Sequence, residues 1–167
     1  MKQTKTKQKI LISACLLGRK VRYNGTDLLI THPLIKKWQQ EGRLISICPE
    51  VAGGMSTPRA PAEIINGTGK QVIIGKAQVI NNIQQNVTKE FMLGAQEALK
   101  LAKENSCIAA ILTERSPSCG SNQIYDGSFL GKRIKGVGVT SALLILHKIK
   151  VFNQHELELL ADTLNIS

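Results

Sequence analysis

Short apolar runs that break off at turn formers set the tightest limit on how this chain can fold. Ile10-Leu-Ile12, Leu44–Ile47 and Cys107–Thr113 read as short strands of the kind buried on both faces of a parallel sheet. Each gives way to a segment rich in glycine, proline or serine, and each segment carries a cysteine. Cys15 precedes Gly18, Cys48 precedes Pro49, and Cys119 sits inside Ser116-Pro-Ser-Cys-Gly-Ser121. In an open α/β sheet the carboxyl ends of the strands are where ligands are held. Three strand-end cysteines from distant parts of the chain therefore read as one site.

Helical patterns separate the strands. A helix is expected from Thr31 or His32, with Pro33 in its first turn, Leu34, Ile35 and Trp38 as its apolar stripe, and Gly42 as its stop. Thr88 reads as the cap of a long helix reaching about Glu104, with Phe91, Ala95, Ala98, Leu99 and Ala102 on one face. Thr140–Lys148 and Glu156–Leu164 read as helices, with a strand at Ile149–Phe152 between them. Residues 48–64, with three prolines and two adjacent glycines, are expected to form a long irregular loop. Glu63–Ile65 and Gln71–Ile80 alternate as a β-hairpin around Asn66-Gly-Thr-Gly69, and Tyr125–Phe129 with glycines 127, 131, 136 and 138 reads as another loop. Together these predict an α/β fold, mainly parallel: a Rossmann-like three-layer sandwich with a β-hairpin insertion. The expectation is a single domain over residues 1–167, with residues 1–8 a disordered basic tail.

The formal charge of +10 suits an anionic partner, but four of the 22 basic residues fall in the first nine positions. Aromatic residues make up only 4%, too few for a stacking platform, so nucleic-acid binding is weakly supported and a solvated surface accounts for the charge. No run approaches a membrane span, and the basic N-terminus runs into a strand without a signal peptide's apolar region. The expected setting is cytoplasmic, with no membrane partner and a small molecule as ligand. Four cysteines in such a chain argue against a disulfide framework, and Cys107, inside a strand, reads as packing.

Any one of Cys15, Cys48 and Cys119 could be an ordinary buried thiol; all three at strand ends point to a shared task. Three thiolates and a water suit catalytic zinc. They equally suit an iron–sulfur cubane that keeps one iron open. Without metal they suit a catalytic thiol or a redox pair. Glu50, two residues beyond Cys48, is the natural general acid or base, its bland alternative being an ion pair with Arg59 or Arg115. Ser116 and Ser118 flank Cys119 as possible donors to a substrate or as turn caps, and Gly53-Gly54 would let backbone approach a ligand.

The motifs Ser13-Ala-Cys-Leu-Leu-Gly18, Val21-Arg-Tyr-Asn-Gly25, Cys48-Pro-Glu, Gly53-Gly54 and Pro58-Arg-Ala-Pro61 are similar to those of the DUF523 family. Ser116-Pro-Ser-Cys-Gly-Ser121, Ile124-Tyr-Asp-Gly-Ser-Phe129 and Gly136-Val-Gly-Val-Thr140 continue the pattern in the same order, so the resemblance spans about residues 9–157. That family includes thiouracil desulfidases, which convert 2- or 4-thiouracil to uracil and sulfide. The resemblance implies a [4Fe-4S] cluster on Cys15, Cys48 and Cys119, with the fourth iron open to the substrate's sulfur. It implies catalytic roles for Glu50 and Ser116, with Ser118 and Asp126 as substrate-binding candidates. Thiolated RNA or a thiolated nucleoside stands as the alternative substrate, and a metal-free cysteine enzyme as the alternative chemistry. Asn86 stands where the family pattern often has an acidic residue; it reads as a helix-cap neighbour outside the chemistry.

Overall fold

The computed structural model describes residues 6–167; residues 1–5 of the expected basic tail lie outside that range, and residues 6–8 form no regular element. Strand β1 (Lys9–Ser13) buries Ile10, Leu11 and Ile12 completely, so both of its faces are covered. It ends in a 3-10 turn, Ala14–Leu17, closed by Gly18 in the left-handed region at φ 93°. Helix α1 (Pro33–Gln40) starts where His32 Nδ1 accepts the Leu34 N–H at 3.1 Å and Pro33 occupies the first helical position. It buries Ile35 and Trp38, and the chain returns as β2 (Leu44–Ile47), parallel to β1.

The stretch expected as an irregular loop contains two regular pieces. Pro49 pre-sets the first turn of α2 (Pro49–Ala52), where Ala52 N–H donates to the Cys48 carbonyl at 2.9 Å. β3 (Ala62–Ile65) closes the stretch, and α3 (Gly69–Ile73) follows. The hairpin is therefore shorter than its alternation suggested. Gln71 and Val72 belong to α3, because Gln71 Oε1 accepts both the N–H and the hydroxyl of Thr68 and ties the turn into a helix. The returning strand is β4 (Gln78–Asn81), antiparallel to β3. Helix α4 (Thr88–Glu104) begins at Thr88, but that residue does not cap it. The Thr88 hydroxyl instead accepts the Val79 N–H at 2.9 Å, docking β4 on the helix, while Asn86 Oδ1 receives the Thr88 N–H at 3.0 Å.

β5 (Cys107–Ile111) follows, and then a small antiparallel ribbon, β6 (Gln123–Tyr125) with β7 (Arg133–Lys135), where only loop was expected. The chain ends with α5 (Val139–Leu146), β8 (Lys150–Phe152) and α6 (Leu157–Leu164). The main sheet has the order β2-β1-β5-β8 with every pair parallel. One face packs Ile10, Ile12 and Ile111 against Trp38 of α1 and Leu160 of α6. The other packs Leu11, Ala110 and Leu112 against Ala98 of α4 and Leu144 of α5. This is the expected three-layer arrangement. The β3–β4 hairpin and α3 sit on α4 and α5 through a separate cluster that includes Ile64, Val79, Phe91 and Val139.

Candidate active site

From β1 the chain crosses to β2 on one side and later returns to β5 on the other, so the sheet order reverses beside β1. A crevice opens at the carboxyl ends of strands at such a point. Here it is a cavity of about 620 Å³, and Cys15, Cys48 and Cys119 all line it. None of the cysteines is in a disulfide. Among the described residues no group of three or more His, Cys, Asp or Glu side chains is gathered so as to hold a metal ion.

Each thiol is held by different means. Cys15 lies in the 3-10 turn, its carbonyl accepting N–H groups of Gly18 at 3.1 Å and Leu28 at 2.9 Å, with its Sγ 3.0 Å from Thr113 Oγ1. Cys48 precedes α2, which rests backbone to backbone on α4. A Cβ on Gly53 would lie 2.1 Å from the Glu90 carbonyl oxygen, and one on Gly94 would lie 2.0 Å from that of Pro49. Gly53 thus serves the approach of two helices, not of a ligand.

Cys119 rides a loop fixed from both sides. Ser116 Oγ accepts the N–H groups of Ser118 and Cys119, each at 3.1 Å, so Ser116 does cap the turn. The first amides of α5 donate to the loop's carbonyls, Val139 to Pro117 and Thr140 to Ser118, both at 2.8 Å. Ser141 Oγ adds a bond to the Cys119 carbonyl at 2.8 Å. On the other side Glu114 Oε1 gathers the N–H groups of Ser121, Asn122 and Gln123 at 3.0–3.1 Å. Its Oε2 accepts from Asn153 Nδ2 at 2.6 Å. Partial burial pushes the Glu114 carboxyl up, but these backbone donors outweigh it and hold the group below its usual range.

The thiols share one electrostatic environment. Burial pushes all three up; Thr113 opposes this at Cys15, and Ser13 opposes it at Cys119. The charges of Cys48, Glu50 and Cys15 raise Cys119 further. A nucleophilic cysteine needs its thiolate favoured, the opposite of what the protein alone provides here. A bound cationic centre would reverse that balance, because metals take thiols as thiolates.

Glu50, the first acidic residue of α2, lines the cavity and pairs with Arg59. The Arg59 side chain is 5% exposed, and its Nη2 also donates to the Val21 carbonyl at 2.9 Å. Of the two ion-pair partners considered from the sequence, Arg59 is the one present. Ser116 lines the cavity. Ser118 does not: it is 1% exposed and shares a hydrogen bond of 2.8 Å with Thr140 Oγ1, on the far side of the loop. Asp126 is also off the cavity wall; its carboxylate takes the N–H and hydroxyl of Ser128, while its neighbour Tyr125 faces the cavity. Glu63 holds that second loop by accepting from Gly127 and Phe129 at 2.9 and 3.2 Å. Asn86 precedes the cap residue of α4, where its Oδ1 accepts the Thr88 N–H, and lies off the cavity wall. Cys107 is 8% exposed at the opposite end of β5, where burial pushes its thiol up to about 11.

The uncharacterized protein YbbK of Bacillus subtilis (strain 168) is 47% identical over 148 residues, spanning 89% of this chain and 97% of YbbK. The solved structure of the [4Fe-4S]-dependent thiouracil desulfidase TudS superposes with a TM-score of 0.87 at 43% identity, covering 96% of this chain and all of TudS. The profile of the 2-thiouracil desulfurase family matches residues 10–156, from the middle of β1 to the turn before α6 and across all three cavity cysteines. The chain belongs to the 2-thiouracil desulfurase family.

Proposed function

We infer that this chain is a [4Fe-4S]-dependent desulfidase that removes sulfur from a thiolated pyrimidine such as 2- or 4-thiouracil, giving uracil and sulfide. The observation that carries this reading is the placement of three unpaired thiols around one cavity at the switch point of the sheet. Three soft sulfur donors in the wall of one cavity suit an iron–sulfur group. A cavity of about 620 Å³ is of small-ligand size, and Phe91, Tyr125 and Met55 in its wall offer apolar faces to a pyrimidine ring. Among the described basic residues Arg22, Arg59 and Arg115 reach the cavity, and Arg59 is already engaged. That supports a small thiolated base over a polynucleotide. No helix among the described residues is long and apolar enough to cross a membrane, and four free thiols fit the reducing cytoplasm.

Cys15, Cys48 and Cys119 would hold the cluster. Bound there, it supplies a Lewis-acidic iron for the thiocarbonyl sulfur. The rest falls to side chains. Glu50, steadied by Arg59, takes a proton from the water that adds at the ring carbon. Ser116 Oγ already accepts two N–H groups, so its own proton is left to donate towards the ring. Water contributes the new C–O bond, the C–S bond breaks, and sulfide leaves with no net redox change.

The test is iron, acid-labile sulfide and sulfide release after anaerobic reconstitution. Wild type should carry about four irons per chain and desulfurate thiouracils. Cys119→Ser should lose iron. Glu50→Gln should keep iron and lose at least about 100-fold in turnover, the usual contribution of a positioned base. A fully loaded wild type that releases no sulfide from either thiouracil would end the proposal, and a fully active Glu50→Gln would remove Glu50 from it.

A further inference from the structure

The geometry points to Ser13 and Thr113 as hydrogen-bond donors to two of the ligating thiolates, set so as to draw electron density off the cluster and sharpen its Lewis acidity. This rests on the cluster reading above and goes beyond it, to two hydroxyl residues of the cavity wall that the reading gives no role.

Ser13 is the last residue of β1 and is 3% exposed. Its Oγ accepts the Thr113 N–H at 3.0 Å, which leaves its single proton for Cys119 Sγ, 3.7 Å away. Thr113 follows β5, and its Oγ1 stands 3.0 Å from Cys15 Sγ. While Cys15 is a thiol, either atom can donate. A ligating thiolate has no proton, so Thr113 must then be the donor. The pattern is crossed: the hydroxyl beside Cys15 serves Cys119, and the hydroxyl in the Cys119 connection serves Cys15. Neighbouring strands β1 and β5 thus lock each other's ligands as well as their own backbones. The buried Ser13 hydroxyl, held by the Thr113 amide, cannot swing away to another partner, so its bond persists when Cys119 is a thiolate.

Hydrogen bonds to cluster sulfurs stabilise the more negatively charged, reduced state and raise the reduction potential. The same withdrawal makes the substrate-binding iron a stronger acceptor. Thr113→Val keeps the side chain's shape and removes only the hydroxyl; Thr113→Ser restores it. After anaerobic reconstitution, Thr113→Val should hold as much iron as wild type. Its midpoint potential in an EPR-monitored titration should move to more negative values, with the Fe–S(Cys) Raman bands shifting upward. Desulfuration should slow by about 3- to 10-fold, the equivalent of one modest hydrogen bond. Thr113→Ser should return all three towards wild type. Ser13→Ala should move the potential in the same direction through Cys119, and carries the test by itself if Thr113→Val fails to load. A loaded Thr113→Val or Ser13→Ala with wild-type potential and Raman bands overturns the inference while leaving the cluster reading intact. A wild-type chain that takes up no iron overturns both.

Discussion

Replacing Glu114 by alanine would remove the acceptor shared by the amides of Ser121, Asn122 and Gln123, and would leave Asn153 Nδ2 with Ser121 Oγ as its one remaining acceptor. Asn153 is 5% exposed, so its amide has little water to turn to, whereas the backbone donors are only partly sheltered. At a net worth of about 1 kcal/mol for each hydrogen bond, discounted for water at the exposed ones, the loss should be roughly 2–4 kcal/mol. Glu114→Gln should cost less, about 1–2 kcal/mol: it keeps an oxygen for the amides but turns a second NH₂ towards Asn153 Nδ2, also a donor. The assay is urea unfolding of the metal-free chain, where the midpoint should fall at unchanged m. Iron uptake should fall with it, because the same bonds hold the Cys119 loop. The pH dependence has a definite sign. The folded-state pKa of Glu114 is depressed, so its contribution is complete above the ordinary carboxylate value of 4.5 and fades as pH drops below it through the folded value. The wild-type advantage over Glu114→Gln should therefore shrink in acid and hold steady from pH 6 to 8. A Glu114→Ala protein within about 0.5 kcal/mol of wild type, with full iron uptake, would refute this account of the loop.

Two further outcomes follow from the packing. Gly94→Ala places a methyl 2.0 Å from the Pro49 carbonyl oxygen, so α2 must lift off α4 and carry Cys48 and Glu50 with it. It should cost about 1–3 kcal/mol in urea unfolding and lower iron per chain, whereas the neighbouring exposed position Lys89→Ala should do neither. Cys107→Ala should leave iron and activity unchanged. In unmodified apo-protein at pH 8 this thiol should be slow towards iodoacetamide, because its pKa lies near 11; labelling as fast as an exposed thiol would contradict that.

The parts of the site that sequence made visible are those carried by pattern. Three short apolar runs stopping at cysteines placed all three thiols at one sheet edge, and the β2-β1-β5-β8 order puts them round one cavity. Glu50 was legible for the same reason, since only Cys48 and Pro49 separate it from the strand end. What escaped depends on partners far along the chain. Glu114 looks like any loop carboxylate until its amide donors, seven to nine residues on, fold back over it. Ser118 looks like Ser116, but a tight turn sends neighbouring side chains to opposite sides, and one faces Thr140 while the other faces the cavity. Gln71-Val-Ile-Ile has a strand's composition, yet the local Thr68–Gln71 bonds turn its first residues into helix. β6 and β7 are three residues each and β7 is exposed throughout, too short and polar for periodicity to register.

Each of the three thiols is anchored separately by the fold. Cys15 depends on a 3-10 turn closed by Gly18, Cys48 on the Gly53–Gly94 contact between α2 and α4, and Cys119 on Glu114 with the first turn of α5. None of these supports uses a cysteine sulfur. A chain whose ligands were gathered by the metal would unfold locally without it, and binding energy would be spent on ordering the loops. On the proposed cluster reading, backbone hydrogen bonds and helix contact would supply that ordering, leaving the energy of cluster binding for gripping the cluster itself. The same separation means that damage at one anchor releases one ligand and leaves the other two in place. A cluster held by two of three thiolates should then be labile without the fold being lost, which sets Gly94→Ala and Glu114→Ala apart from a global destabilisation: each should shorten cluster lifetime more than an equally destabilising change at Trp38, which packs in the α1–α6 layer and lines no part of the cavity.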